Sequence, residues 1–136
     1  MDLGLKGKTV IVTGGASNIG RAISLTFAKE GSNVVVVDWD DVQAQNVTNE
    51  IKARGCKVLS IKTDVTNWEQ VQVMVNKVLN EFGQVDILVN SVGGTFDEYF
   101  MEESRDKWFR TINMNLWGMI NCTRAVLDHM VQRKSG

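Results

Sequence analysis

The segment Thr13–Gly20 has the residue types and spacing of a phosphate-binding turn. It follows an apolar run at 9–12 and precedes a helix-like run at 21–30. A strand, a glycine turn and a helix in this order present backbone N–H groups to an anion at the positive end of the helix. Glycine is needed because the turn adopts backbone angles that a Cβ penalises, and because a phosphate must approach the main chain closely. Taken alone, the segment also fits an ordinary connection between a strand and a helix.

A second residue, Asp38, makes a dinucleotide site the favoured interpretation. It ends the next apolar run, close to the spacing of about twenty residues at which a carboxylate reaches an adenosine ribose hydroxyl. A carboxylate there repels a 2′-phosphate, and neither Trp39 nor Ser17 supplies a cation, so NAD is favoured over NADP. The turn is followed by Arg21 and Ala22 instead of the lysine and hydroxyl residue of a nucleoside-triphosphate loop, which excludes that class of site.

The composition predicts a cytoplasmic protein with one domain, 1–136. The 136 residues carry a formal charge of -1 and no basic run, which argues against nucleic acid and anionic membranes as partners. The N-terminus has no apolar core of signal-peptide length, and no run approaches the roughly twenty apolar residues of a spanning helix. Cys56 and Cys122 have neither metal nor redox spacing, so we predict two reduced thiols and no metal site.

Apolar strands alternate with helices along the chain. The strands are predicted at 9–13, 33–38, 57–62 and 85–90. The helices are predicted at 18–29, from a cap at Asp40 or Asp41 to about Arg54, from a Thr66–Glu69 capping box to Phe82, and from about Ser104 to Arg133. Glycines follow the first three helices as C-terminal caps.

Helical spacing assigns an apolar face to the first and to the last of these helices. In the first helix, Ile19, Ile23 and Phe27 share one face. In the last helix a longer stripe consists of Trp108, Ile112, Leu116, Met119, Thr123, Val126 and Met130. Stripes of this kind are typical of a helix face that packs on a core.

The alternation predicts an α/β fold, a doubly wound parallel sheet of the Rossmann type, here with its first four strands and helices. The third strand is the least apolar and is expected at an edge of the sheet. Ligands bind such sheets beyond the carboxyl ends of the strands. The residues at those ends are Thr13-Gly14, Asp38, Thr63-Asp64 and Asn90-Ser91. Glycine, acid, acid and amide therefore converge on one crevice.

These motifs resemble the N-terminal, coenzyme-binding half of a short-chain dehydrogenase/reductase, and the resemblance covers nearly the whole chain. The matching segments are Thr13-Gly14-x-x-x-x-Ile19-Gly20, Asp38, Asp64-Val65, Asn90-Ser91-Val92-Gly93 and Asn115-Leu116-Trp117-Gly118. Two positions depart from the family pattern: Asn18 replaces a glycine, and Ser91-Val92 replaces Asn-Ala. Asparagine tolerates a left-handed backbone better than most residues, so we expect the turn to survive.

The resemblance implies a role for each matching residue. The pyrophosphate and adenosine ribose are implied to lie at Gly14, Ser17, Asn18, Ile19 and Gly20. Asp38 is implied to bind the ribose hydroxyls, and Asp64 and Val65 to contact the adenine. The wall towards the nicotinamide is implied to consist of Asn90, Ser91 and Gly93. Asn115 corresponds to the catalytic asparagine of the family, which supports a water-linked proton path to the active-site lysine.

The tyrosine and lysine that complete the family's proton-transfer group are not found at their spacing. Tyr99 is the sole tyrosine, and Glu103 stands four residues after it. The only histidine, His129, is expected to be a surface or interface residue. We therefore expect a chain truncated before its chemistry, with the strand order 3-2-1-4 that the resemblance implies. Its fourth strand would form an open edge, and its last helix corresponds to one that helps to build the family's oligomer interface, so self-association or marginal stability is expected.

Three functions remain open at this point. The first is the coenzyme half of an NAD-dependent oxidoreductase that transfers a hydride between an alcohol and a ketone, as a homo-oligomer. The second is a non-catalytic NAD(H)-binding module. The third is a methyltransferase that binds S-adenosylmethionine in a similar crevice, against which the segment Asn90–Gly93 and Asn115 argue.

Overall fold

Short apolar runs form a parallel sheet in the computed structural model, which describes all 136 residues. The strands are β1 (Thr9–Thr13), β2 (Asn33–Asp38), β3 (Val58–Lys62) and β4 (Ile87–Asn90). They lie in the order β3-β2-β1-β4, which confirms both the predicted order and the edge position of the third strand. β1 and β2 occupy the centre, where every residue of β1 is buried.

Helices cover both faces of the sheet, as a doubly wound fold requires. They are α1 (Asn18–Lys29), α2 (Asp41–Ala53), α3 (Trp68–Phe82), α4 (Arg105–Ile112) and α5 (Gly118–Arg133), with a π-helical segment, Asn113–Trp117, between the last two. Side chains of β2 alternate between the two layers: Val35 and Val37 pack in a cluster with α3 and α5, whereas Val34 and Val36 pack with α1 and α2. None of these helices has the length and apolarity to cross a bilayer.

The buried face of α1 differs from the predicted one. Ile19 is 73% exposed, and the buried residues are Gly20, Ser24 and Ala28. These three lie at helical spacing and are all small, which allows the helix to approach β1 closely. The prediction was wrong for Ile19, whereas Phe27 is half-buried and packs against the cluster that contains Val34 and Val36.

The start of α3 also differs from the prediction. Asn67 is the N-cap, and its side chain accepts a hydrogen bond from the Gln70 N–H at 2.9 Å. The predicted capping box at Thr66 does not form, because the Thr66 hydroxyl donates to the Asp64 carboxylate at 2.7 Å. The helix ends at Gly83 in the left-handed conformation (φ 79°), as predicted.

The predicted last helix contains a π-helical segment that the sequence pattern did not indicate. The wider turn at Asn113–Trp117 inserts a residue into the helical repeat and so rotates the following face. The residues of α5 that are buried against the sheet are Gly118, Cys122 and Val126. Ile112, Leu116, Met119 and Thr123 of the predicted stripe are exposed, so that part of the prediction was wrong.

A polar cluster fastens the end of α5 to the start of β4. The Asp86 carboxylate, whose residue is only 4% exposed, accepts hydrogen bonds from the Thr9 N–H at 2.9 Å and from the Arg133 guanidinium at 2.8 Å. Arg133 also donates to the Val85 carbonyl at 2.8 Å. His129 is half-buried here, and its Nε2 accepts a hydrogen bond from the Val85 N–H at 3.4 Å.

Burial by itself raises the pKa of Asp86, but the hydrogen bonds from Thr9, Arg133 and Gln84 outweigh burial and hold the pKa below its ordinary value of 3.8. A carboxyl with a depressed folded pKa stabilises the fold above its unfolded pKa, and that contribution is lost as the pH falls towards the folded pKa. We expect Asp86→Asn to lower the free energy of unfolding by about 2 kcal/mol at neutral pH.

The measurement is urea unfolding at a series of pH values from neutral to acid. Below the ordinary carboxyl pKa the difference between the unsubstituted chain and Asp86→Asn should shrink. Asp128→Asn is the control, because Asp128 is an exposed acid of α5 whose ion pair with Arg124 contributes about 0.5 kcal/mol or less. A difference between the unsubstituted chain and Asp86→Asn that stays constant with pH would contradict the role given to Asp86.

Candidate functional site

The turn between β1 and α1 uses left-handed backbone at two positions. Gly14 has φ 65° and Asn18 has φ 46°. Asparagine adopts this conformation at lower cost than most residues with a Cβ. The expectation that the turn survives the family's missing glycine at position 18 is therefore confirmed.

Three glycines of the turn are packed so closely that a larger residue would collide with neighbouring atoms unless the backbone moved. A Cβ at Gly20 would lie 1.9 Å from the Gly14 carbonyl oxygen, and one at Gly15 would lie 2.7 Å from that of Val12. A Cβ at Gly14 would lie 3.1 Å from the Ser91 carbonyl oxygen. Gly15 was not among the predicted site residues, although the Gly14-Gly15 pair was the signal that could have identified it.

The first turn of α1 presents unsatisfied donors. Ser17 is the N-cap, yet its hydroxyl makes no capping hydrogen bond. The N–H groups of Asn18, Ile19 and Gly20 have no partner within the chain. Free N–H groups at the positive end of a helix bind phosphate and other anions.

Asp38 is joined directly to this turn. One of its carboxylate oxygens accepts a hydrogen bond from the Ala16 N–H at 3.2 Å, and the other accepts one from the Asp40 N–H at 3.1 Å. The residue is only 7% exposed. Asp38 therefore orders the turn as well as facing the crevice, a second role that its spacing in the sequence did not indicate.

A cleft of about 740 Å³ crosses the carboxyl ends of the strands. All the predicted cofactor residues except Asn90 line it: Gly14, Ser17, Asn18, Ile19, Gly20, Asp38, Asp64, Val65, Ser91 and Gly93. Ten further residues, to which no cofactor contact was assigned, complete the lining: Trp39, Thr63, Thr66, Val92, Gly94, Thr95, Phe96, Arg110, Asn113 and Met114. Trp39 and Thr63 adjoin predicted positions, whereas the last three come from the region around the π-helical segment, which no local pattern linked to the site.

Asn90 lies at the carboxyl end of β4 but its side chain is directed away from the cleft. Its Nδ2 donates to the Thr123 hydroxyl of α5 at 3.1 Å. Leu88, two residues earlier on the same face of the strand, packs with the α3 and α5 cluster. The strand period therefore directs Asn90 towards α5, and its place beside a nicotinamide stays a prediction.

Asp64 and Val65 lie together after β3. The Asp64 carboxylate accepts hydrogen bonds from the Thr66 N–H and hydroxyl at 2.9 and 2.7 Å. Val65 is buried, and a Cβ at Gly118 would lie 2.7 Å from its Cγ2. The Val65 carbonyl accepts a hydrogen bond from the Asn121 side chain at 3.0 Å. These contacts hold the start of α5 against the end of β3.

Asn115 lies in the π-helical segment and holds the loop that follows β4. Its Oδ1 accepts a hydrogen bond from the Gly94 N–H at 3.1 Å, and its Nδ2 donates to the Gly94 carbonyl at 2.7 Å and to the Thr111 carbonyl at 2.8 Å. A Cβ at Gly93 would lie 2.9 Å from the same Oδ1. The side chain is outside the lining of the cleft, so it positions a wall of the site.

Neither cysteine belongs to the cleft. Burial raises the pKa of the Cys122 thiol to about 12, so it stays protonated in the core. Cys56 is half-buried, and both thiols are unpaired. No group of three histidine, cysteine, aspartate or glutamate side chains has the arrangement of a metal site.

We expect Asn115→Ala to lower the free energy of unfolding by about 1 kcal/mol, because it removes the hydrogen bonds to the exposed backbone of Gly94, which water replaces only in part. Hydrogen exchange at the Gly94 amide should become faster. Asn113→Ala is the matched control, since Asn113 lies in the same π-helical segment and lines the cleft. Equal exchange rates at Gly94 in the two variants would refute the role given to Asn115.

Comparison with known proteins places this geometry in a family. A family model described as short chain dehydrogenase matches residues 8–136. The 3-oxoacyl-(acyl-carrier-protein) reductase FabG of Staphylococcus epidermidis is 38% identical over 130 residues, which are 95% of this chain and 53% of that protein. The chain thus spans about half the length of the curated relatives it matches.

Solved structures agree with the family model. A short chain dehydrogenase/reductase from Burkholderia phymatum in complex with NAD has a TM-score of 0.91 and 28% identity, covering 97% of this chain and 47% of that one. A 3-ketoacyl-(acyl-carrier-protein) reductase from Brucella melitensis complexed with NADH has a TM-score of 0.88 and 32% identity, covering 95% of this chain and 52% of that one. With the turn, the acid at the end of β2 and the α/β order in place, the chain belongs to the short chain dehydrogenase family.

Proposed function

We propose that this chain is the coenzyme-binding half of an NAD-dependent oxidoreductase that interconverts an alcohol and a ketone. The observation that carries the proposal is the cleft that joins the uncapped N-terminus of α1 to the Asp38 carboxylate. Two similar structures carry NAD or NADH, which supports the same cofactor here. Family membership also removes the methyltransferase alternative.

The residues present fit a dinucleotide. Gly14 and Gly20 line the cleft without side chains, so a phosphate has access to the free N–H groups of α1. Each Asp38 oxygen accepts one N–H hydrogen bond, and a carboxylate has about four acceptor positions, so capacity remains for ribose hydroxyls. Asp64 and Val65 are available for adenine at the β3 end of the cleft.

The charges around Asp38 support NAD over NADP. The charged residues that line the cleft are Asp38, Asp64 and Arg110. A 2′-phosphate on the adenosine ribose would meet the Asp38 carboxylate, and Trp39 beside it offers no compensating charge. The two hydroxyls of NAD are instead acceptable donors to that carboxylate.

Each wall of the cleft has a role in the proposed function. When bound, the nicotinamide ring supplies hydride transfer to or from a carbonyl carbon. The turn and Asp38 orient the adenosine half, and Asn115 holds the Gly93-Gly94 segment in place. The catalytic role that the family assigns to Asn115 is part of the proposal, with the alcohol or ketone as substrate.

Cellular setting and assembly belong to the same proposal. Two unpaired thiols support a cytoplasmic protein. Exposed apolar side chains of the last helical region, among them Leu116, Trp117 and Ile120, support a homo-oligomer.

Titration with NADH and NADPH, followed by the fluorescence of the reduced nicotinamide, tests the cofactor. We expect NADH to bind more tightly, and Asp38→Ala to reduce the ratio of the two dissociation constants by about tenfold or more, because charge-assisted hydrogen bonds to the ribose are lost. The ratio of the NADPH and NADH dissociation constants is the deciding quantity, since loss of the Asp38–Ala16 hydrogen bond weakens the binding of both cofactors equally.

Asp41→Ala provides the control for charge, because Asp41 is an acid in the first turn of α2 that does not line the cleft. It should leave the ratio unchanged. Preferential binding of NADPH by the unsubstituted chain would overturn the choice of NAD, and binding of neither cofactor would overturn the proposed function.

A further inference from the structure

Trp39 is an exposed aromatic residue in the lining of the cleft. It directly follows Asp38, the last residue of β2, and it is 79% exposed. Its side chain belongs to neither hydrophobic cluster of the core and stacks on no other aromatic ring. An indole presents a large apolar surface to water, and a flat ring of a ligand that covers this surface gains free energy by removing it from water.

Hydrogen bonds on both sides of Trp39 hold its backbone in place. The Asp38 carboxylate accepts one from the Asp40 N–H at 3.1 Å, and the Asp38 carbonyl accepts one from the Thr63 N–H at 2.9 Å. The Asp40 side chain caps α2 by accepting a hydrogen bond from the Gln43 N–H at 3.1 Å. The indole is therefore attached to a fixed stretch of chain, so a ligand that stacks on it has little backbone to order.

The pairing of β2 with β3 places Trp39 at the β3 end of the cleft. The two strands are parallel neighbours, and Asp38 lies opposite Lys62. The residues that follow are Trp39 on one strand and the segment Thr63–Val65 on the other, and all of them line the cleft. Phe96, the other aromatic residue of the lining, lies in the loop after β4, which is the strand at the opposite edge of the sheet.

We infer that the indole of Trp39 stacks on the base of the adenosine half of the dinucleotide and retains that half in the cleft. The inference rests on the proposed function, under which Asp38 binds the ribose and Asp64 and Val65 contact the adenine. Trp39 directly follows the ribose-binding acid and lies at the strand end next to the base-contacting residues. Aromatic side chains stack on nucleobases because every base has a flat π face.

Contacts to the edge and to the face of the base predict different selectivity. One Asp64 oxygen accepts hydrogen bonds from the Thr66 N–H and hydroxyl at 2.9 and 2.7 Å, so the other oxygen is free to accept one from an amino group at the edge of the base. Hypoxanthine, which has a carbonyl in place of the amino group of adenine, loses this hydrogen bond but keeps its ring face. Trp39 therefore retains either purine, whereas Asp64 distinguishes between them.

The test compares reduced dinucleotides that differ in the adenosine half. Dissociation constants for NADH, reduced nicotinamide hypoxanthine dinucleotide and reduced nicotinamide mononucleotide are measured by fluorescence titration. Trp39→Ala should weaken the binding of both dinucleotides by a similar factor, about fivefold or more, and leave that of the mononucleotide unchanged. The ratio of the NADPH and NADH dissociation constants should stay the same, because a stacked base leaves the 2′ position untouched.

Two further substitutions separate an aromatic face from apolar bulk. Trp39→Phe should retain most of the affinity for NADH, because phenylalanine keeps a flat ring. Trp39→Leu keeps the apolar bulk without the ring and should behave like Trp39→Ala.

Tyr99→Ala is the matched control. Tyr99 is 80% exposed, so its aromatic ring is as accessible as that of Trp39, but it does not line the cleft. The substitution should change no dissociation constant. Thermal unfolding of Trp39→Ala should match that of the unsubstituted chain, since the indole packs in neither core cluster.

Each contrary result has a distinct meaning. NADH binding that is unchanged in Trp39→Ala overturns the inference and leaves the proposed function intact. Equal weakening of NADH and reduced nicotinamide mononucleotide would place Trp39 away from the base and overturn it as well. Equal losses in Trp39→Phe and Trp39→Ala would assign the effect to the indole N–H and refute stacking. Absence of NADH binding in the unsubstituted chain overturns the proposed function together with the inference.

Discussion

The close approach of Gly20 to the carbonyl oxygen of Gly14 is the constraint on which the rest of the site depends. With 1.9 Å between that oxygen and a hypothetical Cβ, α1 starts directly above the end of β1. The first N–H groups of α1 stay free because Ser17 makes no capping hydrogen bond, and the Asp38 carboxylate reaches the Ala16 N–H inside the turn. The close approach explains why the buried face of α1 continues with the small residues Ser24 and Ala28.

The opposite wall depends on a second constraint, the π-helical segment. Its wider turn contains Asn115, whose amide binds both backbone groups of Gly94. A regular helix would direct that residue differently and would leave the loop after β4 without its support. One irregular turn therefore shapes this wall of the cleft.

Different interactions hold the two ends of α5 in place. At its start, the absence of a side chain on Gly118 allows contact with Val65. At its end, Arg133 and Asp86 form a charge-assisted pair beside the backbone of β4. Between these two anchors, Cys122 and Val126 pack on the sheet. The outward face keeps exposed apolar side chains, among them Met119 and Leu127, which give the helix a surface suited to another apolar surface.

Local properties were readable from the amino-acid sequence. The alternation of strands and helices, the turn at Thr13–Gly20 and the acid Asp38 follow from periodicity and from turn chemistry, which act over a few residues. The order of the strands came from the family resemblance, and the structure confirms it. The left-handed backbone at Asn18 was expected from the residue type and was found.

Tertiary structure alone decided the remaining features. The direction of the Asn90 side chain depends on Thr123, and the position of Gly94 depends on Asn115, in each case more than twenty residues away in the sequence. The exposure of Ile19 follows from how closely α1 packs on β1. Such contacts join residues that local patterns treat as independent. The sequence by itself determined the fold and the side of the sheet on which the cleft lies, whereas packing between distant segments decided which side chains face it.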